Sequence, residues 1–355
     1  MTDDVLFEKR GSIGLITLNR PKALNALNLS MIRKIHPKLS AWADDPKIGA
    51  VVIAGAGEKA FCSGGDVRAV YDAGLIAKAD GTIDRGLPAD FFREEYRLNH
   101  AIHTFPKPFI ALVDGISMGG GVGLSVHGPI RVVTERLLFA MPETGIGLFP
   151  DVGGGWFLSR CPGELGTYYG LTGARAKTAD ALAIGYGTHH VPSDRLSELV
   201  EALSASDWFD ARNAHRIIGQ FEEGISGAPI LEHSETINRC FAHDRVEDIL
   251  SALETDGSDW GQEIAARLST MSPTSMKVTL RQLRLGRKMS YDRVVTMEYR
   301  LSQACMIDRD FYEGIRAVLV DKDKTPRWLP DSLDLVSDEM VASYFEPMGA
   351  RDLVI

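Results

Sequence analysis

Residues 115–123 read Gly115-Ile116-Ser117-Met118-Gly119-Gly120-Gly121-Val122-Gly123. The first five match G-x-S-x-G, the turn that carries the nucleophile of many serine hydrolases. The wholly apolar run Phe109–Val113 precedes them and reads as a buried strand, and a helix can follow. Two readings compete: Ser117 as a nucleophile, or the glycines as the working part. A serine hydrolase needs a downstream acid and then a histidine. His127, His189, His190, His215, His233 and His243 are all available, so histidine supply decides nothing. No HGGG-type segment lies upstream to complete an oxyanion hole. The glycines cluster after the serine instead, which moves the weight to their backbone N–H groups.

Outward from that stretch, Val5–Arg10 and Ile13–Leu18 flank Gly11-Ser12 and read as a hairpin. Ala50–Ala54, Ile130–Thr134 and Leu137–Ala140 are further short apolar strands. Ser30–Asp44 carries Met31, Ile32, Ile35, Leu39 and Trp42 at helical spacing, with Pro37 expected to kink it. Gly74–Asp90 is polar and glycine-dotted, a loop leading into an amphipathic helix over Phe91–Thr104. Strands separated by longer segments imply an α/β fold with parallel pairing. From Ser272 the pattern is helical: Met276–Lys288, Tyr291–Arg309 and Phe311–Val320. The expected organisation is a core over 1–205, a connecting segment over 206–271 and a helical region over 272–355.

With 39 Lys+Arg against 48 Asp+Glu the net charge is −9, so bulk attraction to nucleic acid is not expected. Cys62, Cys161, Cys240 and Cys305 are widely spaced, with neither CxxC nor H-E-x-x-H in the chain, so no metal site is expected. The start, MTDDVLFEKRG, resembles no signal or transit segment, and no apolar run is long enough to span a membrane. A cytosolic protein without a membrane segment is the expectation. Gly55-Ala56-Gly57-Glu58-Lys59-Ala60 fits the dinucleotide fingerprint by letter, but Gly64-Gly65 soon follows where that motif needs a helix. Lys277, Arg281, Arg284 and Lys288 share one helical face, which reads as a solvated face ahead of a phosphate-binding stripe.

Three loops read together carry chemistry. Ala60–Asp66 and Ser117–Gly123 are small-residue loops, each after a strand. Phe139–Asp151 brings two acids, Glu143 and Asp151. Glycine lets a backbone N–H approach a ligand with no Cβ in the way. Two such N–H groups from separate loops make an oxyanion hole, and a nearby carboxylate can serve as base, acid or nucleophile.

These loops, together with Asn19–Leu27, the run from Pro142-Glu143 to Gly153-Gly154-Gly155, and Asp310–Ala317 with Pro326-Arg327-Trp328, resemble the enoyl-CoA hydratase/isomerase (crotonase) family. The resemblance implies a crotonase-like spiral of ββα units with a helical C-terminal region, assembled as a homo-oligomer, usually a trimer. It implies an acyl-CoA substrate and no separate cofactor, coenzyme A being part of the substrate. By position, the oxyanion donors fall on Gly65 and Gly120. Lys22, Leu24 and the stretch Gly65–Arg68, with Asp66 and Arg68, fall beside the acyl-CoA.

Within that family, hydratases hold water between two glutamates. The first would stand at Gly123, and only the second, Glu143, is present. Asp151 stands where the hydratases carry glycine. Glu95, Gly120, Glu143 and Asp151 match substrate-binding positions of the 3-hydroxyisobutyryl-CoA hydrolase branch. The resemblance therefore implies thioester hydrolysis, giving 3-hydroxyisobutyrate and coenzyme A in valine breakdown, with Glu143 as nucleophile or base and Asp151 beside it. The alternatives are a hydratase/isomerase working through Glu143 alone, a serine hydrolase using Ser117, and a non-catalytic acyl-CoA-binding protein.

Overall fold

In the computed structural model, which describes residues 3–83, 86–208 and 212–355, the chain alternates between two sheets. Strands β1 (Val5–Arg10), β2 (Ile13–Leu18), β3 (Ala50–Gly55), β5 (Phe109–Val113), β7 (Ile130–Val133) and β10 (His189–His190) form the larger sheet, in the order β1-β2-β3-β5-β7-β10. Strands β4 (Ala60–Cys62), β6 (Ile116–Met118), β8 (Leu138–Ala140) and β9 (Ala176–Lys177) form the smaller one, in that order. Each long strand hands over to a short one: β3 to β4, β5 to β6, β7 to β8. Helix α2 (Val67–Ala79) follows β4 and helix α4 (Gly120–Ser125) follows β6. This is the expected spiral of ββα units. The β1–β2 hairpin is antiparallel, and β2, β3, β5 and β7 pair in parallel.

The strand residues explain the sheet. Ala50, Val52, Ile110, Leu112, Ile130 and Val132 alternate onto one face and pack against Leu199, Leu203, Ala214, Ile217 and Ile218. Val51, Ile53, Phe109, Ala111 and Val113 on the other face are buried as well. Burial on both faces is why these strands read as continuous apolar runs.

Several boundaries differ from the sequence reading. Helix α1 (Leu29–Ala43) runs unbroken through Pro37, with Asn28 accepting from Met31 N at its start. Gly74–Asp90 is not a continuous loop: α2 extends to Ala79 and α3 (Leu87–His103) begins at Leu87, residues 84–85 lying outside the described set. The stretch 206–271 is largely helical, with helices at Arg212–Ile218, Ser234–Cys240, Val246–Asp256 and Asp259–Leu268. The chain forms two compact units drawn from interleaved stretches, Met1–Gly65 with Arg97–Phe139 and Arg175–Leu231, and Asp66–Tyr96 with Ala140–Ala174 and Glu232–Ile355. Divisions placed in chain order at 205 and 271 miss this, because chain order does not record which distant stretches share a core.

Candidate active site

The first unit holds the glycine loops. Strands β4 and β6 are parallel neighbours with Cys62 opposite Ser117, so the loops leaving their C-terminal ends lie side by side. Gly64 has φ +119°, and a Cβ there would sit 3.4 Å from Met118 O and 3.9 Å from Gly120 N. Gly119 has φ +46° and ends at the first turn of α4. Both conformations belong to glycine. Among the described residues, neither Gly65 N–H nor Gly120 N–H donates to another backbone group. Two free donors at the ends of adjacent strands are what an oxyanion hole requires.

The Asn19–Leu27 stretch is stapled to the same place. Leu27 N donates to Gly64 O at 2.8 Å and Ser63 N to Leu24 O at 3.0 Å. The buried Asn25 carboxamide accepts from Arg20 N at 2.9 Å and donates to Ala56 O at 3.0 Å and Ala60 O at 2.8 Å. Leu24 and Asn25 have φ +50° and +56°. Two consecutive side-chain-bearing residues in this region store strain, which clusters at ligand sites. Lys22 is exposed and Leu24 half-buried on this strained turn.

Ser117 is not poised as a nucleophile. It is fully buried, and its Oγ lies 2.7 Å from the Tyr186 hydroxyl, which is also 2.7 Å from Ser125 Oγ. Its partner is a tyrosine, whose hydroxyl burial pushes up to about 12, and not a histidine. Ser117→Ala is expected to keep thioester turnover within about twofold and to cost about 1 kcal/mol of stability, the net value of one hydrogen bond. Steady-state rates and a denaturation curve check this, and abolished turnover in the folded variant would restore the nucleophile reading.

The other letter matches dissolve too. Gly55–Ala60 runs into strand β4 instead of a helix, so it is no dinucleotide site. The basic face is largely paired: Lys277 meets Glu247 at 2.6 Å, and Arg284 meets Glu164 at 2.9 Å and Asp244 at 3.0 Å. Those cations tie helix Pro273–Gly286 to its neighbours.

The second unit holds the acids. Glu143 opens a 3-10 turn, Glu143–Ile146, that ends on Gly147 at φ +70°. A Cβ on Gly147 would lie 2.1 Å from the Asp310 carbonyl carbon, so the turn is pressed against helix Asp310–Ile315. Thr144 Oγ1 donates to Leu171 O at 3.0 Å and Ser272 N to Thr144 O at 3.1 Å. Asp151 Oδ2 accepts from the Tyr96 hydroxyl at 2.8 Å, and Glu95 precedes that tyrosine on α3.

Glu95, Glu143 and Asp151 are only 1%, 4% and 5% exposed. Among the described residues Glu95 Oε1 and Glu143 Oε2 have no hydrogen-bond partner. Burial pushes all three carboxyl groups up. For Glu95 the Asp151 charge adds to it, and for Glu143 the Asp151 and then the Glu95 charges do. Asp151 is raised to about 7 by burial, against the pull of the Tyr96 hydrogen bond. A cluster that cannot ionise fully holds a proton near neutrality, which suits acid/base work.

Asp66 caps α2, accepting from Ala69 N at 3.4 Å, and the exposed Arg68 pairs with Asp72 at 3.0 Å. Tyr96 and Glu298 belong to the acid cluster and escaped the sequence reading. Tyr96 has no pattern to betray it. Glu298 does, since it sits on the apolar face of its helix with Val294, Val295 and Leu301. Among the described residues no group of three or more His, Cys, Asp or Glu is placed to hold a metal ion, and no helix is long and apolar enough to cross a membrane.

The model of the enoyl-CoA hydratase/isomerase family matches residues 13–345. The chain belongs to that family. It is 52% identical over 353 residues to the mitochondrial 3-hydroxyisobutyryl-CoA hydrolase of Xenopus laevis, covering 98% of this chain and 90% of the relative. It is 48% identical to the human protein of that name, covering 99% and 90%. A crystal structure of a carnitinyl-CoA dehydratase from Mycobacterium thermoresistibile superposes with TM-score 0.92 at 40% identity, covering 99% of both chains. One of an enoyl-CoA hydratase from Rhodobacter sphaeroides gives 0.90 at 36%, covering 99% and 100%. The family's spiral is thus shared by proteins named for hydrolysis, dehydration and hydration.

Proposed function

We propose that this enzyme hydrolyses a short 3-hydroxyacyl-CoA thioester, 3-hydroxyisobutyryl-CoA foremost, to the free hydroxy acid and coenzyme A. The observation that carries the reading is the set of acids: Glu143 is flanked by Asp151 and Glu95, while buried Gly123 offers no first hydratase glutamate. Relatives sharing about half their residues with this chain are named for that hydrolysis. In this reading Gly65 and Gly120 N–H groups receive the thioester oxygen as it gains charge. Glu143 either attacks the carbonyl carbon, expelling the thiolate and leaving an anhydride for water to open, or takes the proton from an attacking water. Asp151 and Glu95 bind the 3-hydroxyl or orient Glu143 and water. Lys22, Leu24, Asp66 and Arg68 line the acyl-CoA.

The reaction needs no cofactor beyond the chain and water. A homo-oligomer is proposed on the family's habit. The cytosolic placement is not supported by the vertebrate relatives, which are named mitochondrial. The compartment proposed is a reducing aqueous one, in keeping with four buried cysteines that form no disulfide among the described residues.

The test compares thiol release from 3-hydroxyisobutyryl-CoA with loss of crotonyl-CoA absorbance. Brisk thiol release with hydration at least about 10²-fold slower is expected, since one of the two hydratase carboxylates is missing. Hydration without thiol release would reverse the assignment. Binding of acyl-CoA with no turnover of any thioester would reduce the protein to a carrier.

A further inference from the structure

We propose that Glu298, braced by Gln282, is a positioning residue that fixes the Asp151 carboxyl in the acid cluster by anchoring the turn Pro150–Gly155. The inference rests on the hydrolase reading for its kinetic consequences, though not for its geometry.

Glu298 is fully buried on helix Tyr291–Ile307. Its Oε2 accepts from Gly153 N at 2.6 Å, and its Oε1 from Gly155 N at 2.8 Å and from Gln282 Nε2 at 3.0 Å. Gln282 Nε2 also donates to Pro150 O at 2.8 Å. Residues 150, 153 and 155 are therefore held by two side chains from two helices. Asp151 lies inside that span, its own carbonyl taking Gly154 N at 2.7 Å. A Cβ on Gly155 would come within 2.9 Å of Gln282 Nε2 and 3.0 Å of Glu298 Oε1, so the glycine makes room for the clamp.

Two features set this clamp apart from ordinary packing. Val152, next to Asp151, has φ +52°. A β-branched residue there is strained and persists only where its surroundings over-determine it. The clamp supplies that over-determination on both sides of the strained residue. Second, a buried carboxyl is costly, and an apolar side chain of the same volume would pack there without the desolvation penalty. What the carboxyl adds is two acceptors for two backbone N–H groups that would otherwise be orphaned. Burial and the nearby Asp151 charge hold Glu298 up at about 8, so it and Asp151 share one electrostatic neighbourhood. Facing that neighbourhood are Glu95 and Tyr96 from α3, Glu143 from its turn, and Tyr291 and Cys305 from the Glu298 helix.

The test uses Glu298→Gln and Glu298→Asp. Gln keeps the shape but replaces one of the two acceptor oxygens with an amide donor. Asp keeps both carboxyl oxygens but withdraws them by one methylene. Two readouts are taken on folded full-length protein: kcat and KM for thiol release, and the substrate-free titration of Asp151 by carboxyl ¹³C NMR. Positioning predicts that both variants lower kcat by about 10–100-fold with KM within about threefold, the effect of misplacing a reacting group by about 1 Å. In both, the Asp151 midpoint should fall below that of the wild type as the freed carboxyl gains water. A shift in Gln alone, with Asp behaving as wild type, would mean a charge effect and overturn positioning. A lowered Tm with kcat and midpoint unchanged would mean a structural strut and overturn it too. If wild type releases no thiol from any acyl-CoA, the hydrolase reading falls, while the substrate-free midpoints still decide the clamp.

Discussion

Glu143→Gln is expected to lower kcat for thiol release by about 10²–10⁴-fold while leaving the Kd for acyl-CoA within about threefold. The substitution conserves volume at a site that is 4% exposed, so packing is preserved. What goes is the ionisable oxygen pair. A carboxamide neither forms an anhydride with the acyl group nor accepts a proton from water near neutrality. Among the described residues Glu143 Oε2 has no partner, so no structural hydrogen bond is lost at that atom. Single-turnover thiol release and equilibrium binding separate the two effects. Turnover within about threefold of wild type would remove Glu143 from the chemistry, whereas a matching loss of binding would recast it as a substrate contact.

Gly121→Ala is expected to lower kcat by about 10²–10³-fold, the value of one oxyanion donor, although no side chain in the acid cluster is touched. The added Cβ would lie 2.2 Å from Cys62 O and 3.0 Å from Cys62 C and Cβ. These are mostly backbone atoms, so the first turn of α4 must move off the end of β4 by about 1 Å to regain contact distance. Gly120 N–H moves with it, away from the loop that presents Gly65. The overpacking itself costs about 1–3 kcal/mol, which a melting curve reads separately. Wild-type kcat in a destabilised but folded variant would show that the two loops do not act as a pair.

The same strand endings that make these effects large were legible in the chain. Phe109–Val113 and Ala50–Ala54 are continuously apolar because the sheet is covered on both faces, and that reading placed β5 and nearly all of β3. The β1–β2 hairpin lay where alternation and Gly11 put it. The glycine loops were legible because backbone exposure at Gly64 and Gly119 demands a residue without Cβ, and that demand is local. Pro37 misled, since the α1 periodicity on either side of it outweighs one lost hydrogen bond once Ile35 and Leu39 are buried. The helices within 206–271 were missed because several are short and only one face of each is apolar.

The acid site was legible as residue types and not as chemistry. Glu95, Glu143 and Asp151 could be named, yet an isolated carboxylate in a sequence carries its ordinary acidity. Tyr96, Gln282 and Glu298 gave little notice of any link to Asp151, because positions 150–155 and 298 meet only through folding. Ser117 shows the reverse: its local pattern pointed to a nucleophile, and Tyr186, sixty-nine residues on, occupies its hydroxyl.

By itself, then, the sequence determined what short-range physics decides: the strands, the glycine turns at their ends, and the absence of a carboxylate at Gly123. Only the tertiary structure decided which acids lose their water. Desolvation and charge–charge repulsion act through space, so the elevated Asp151, its clamp on Glu298 and the silencing of Ser117 depend on neighbours that chain order does not record.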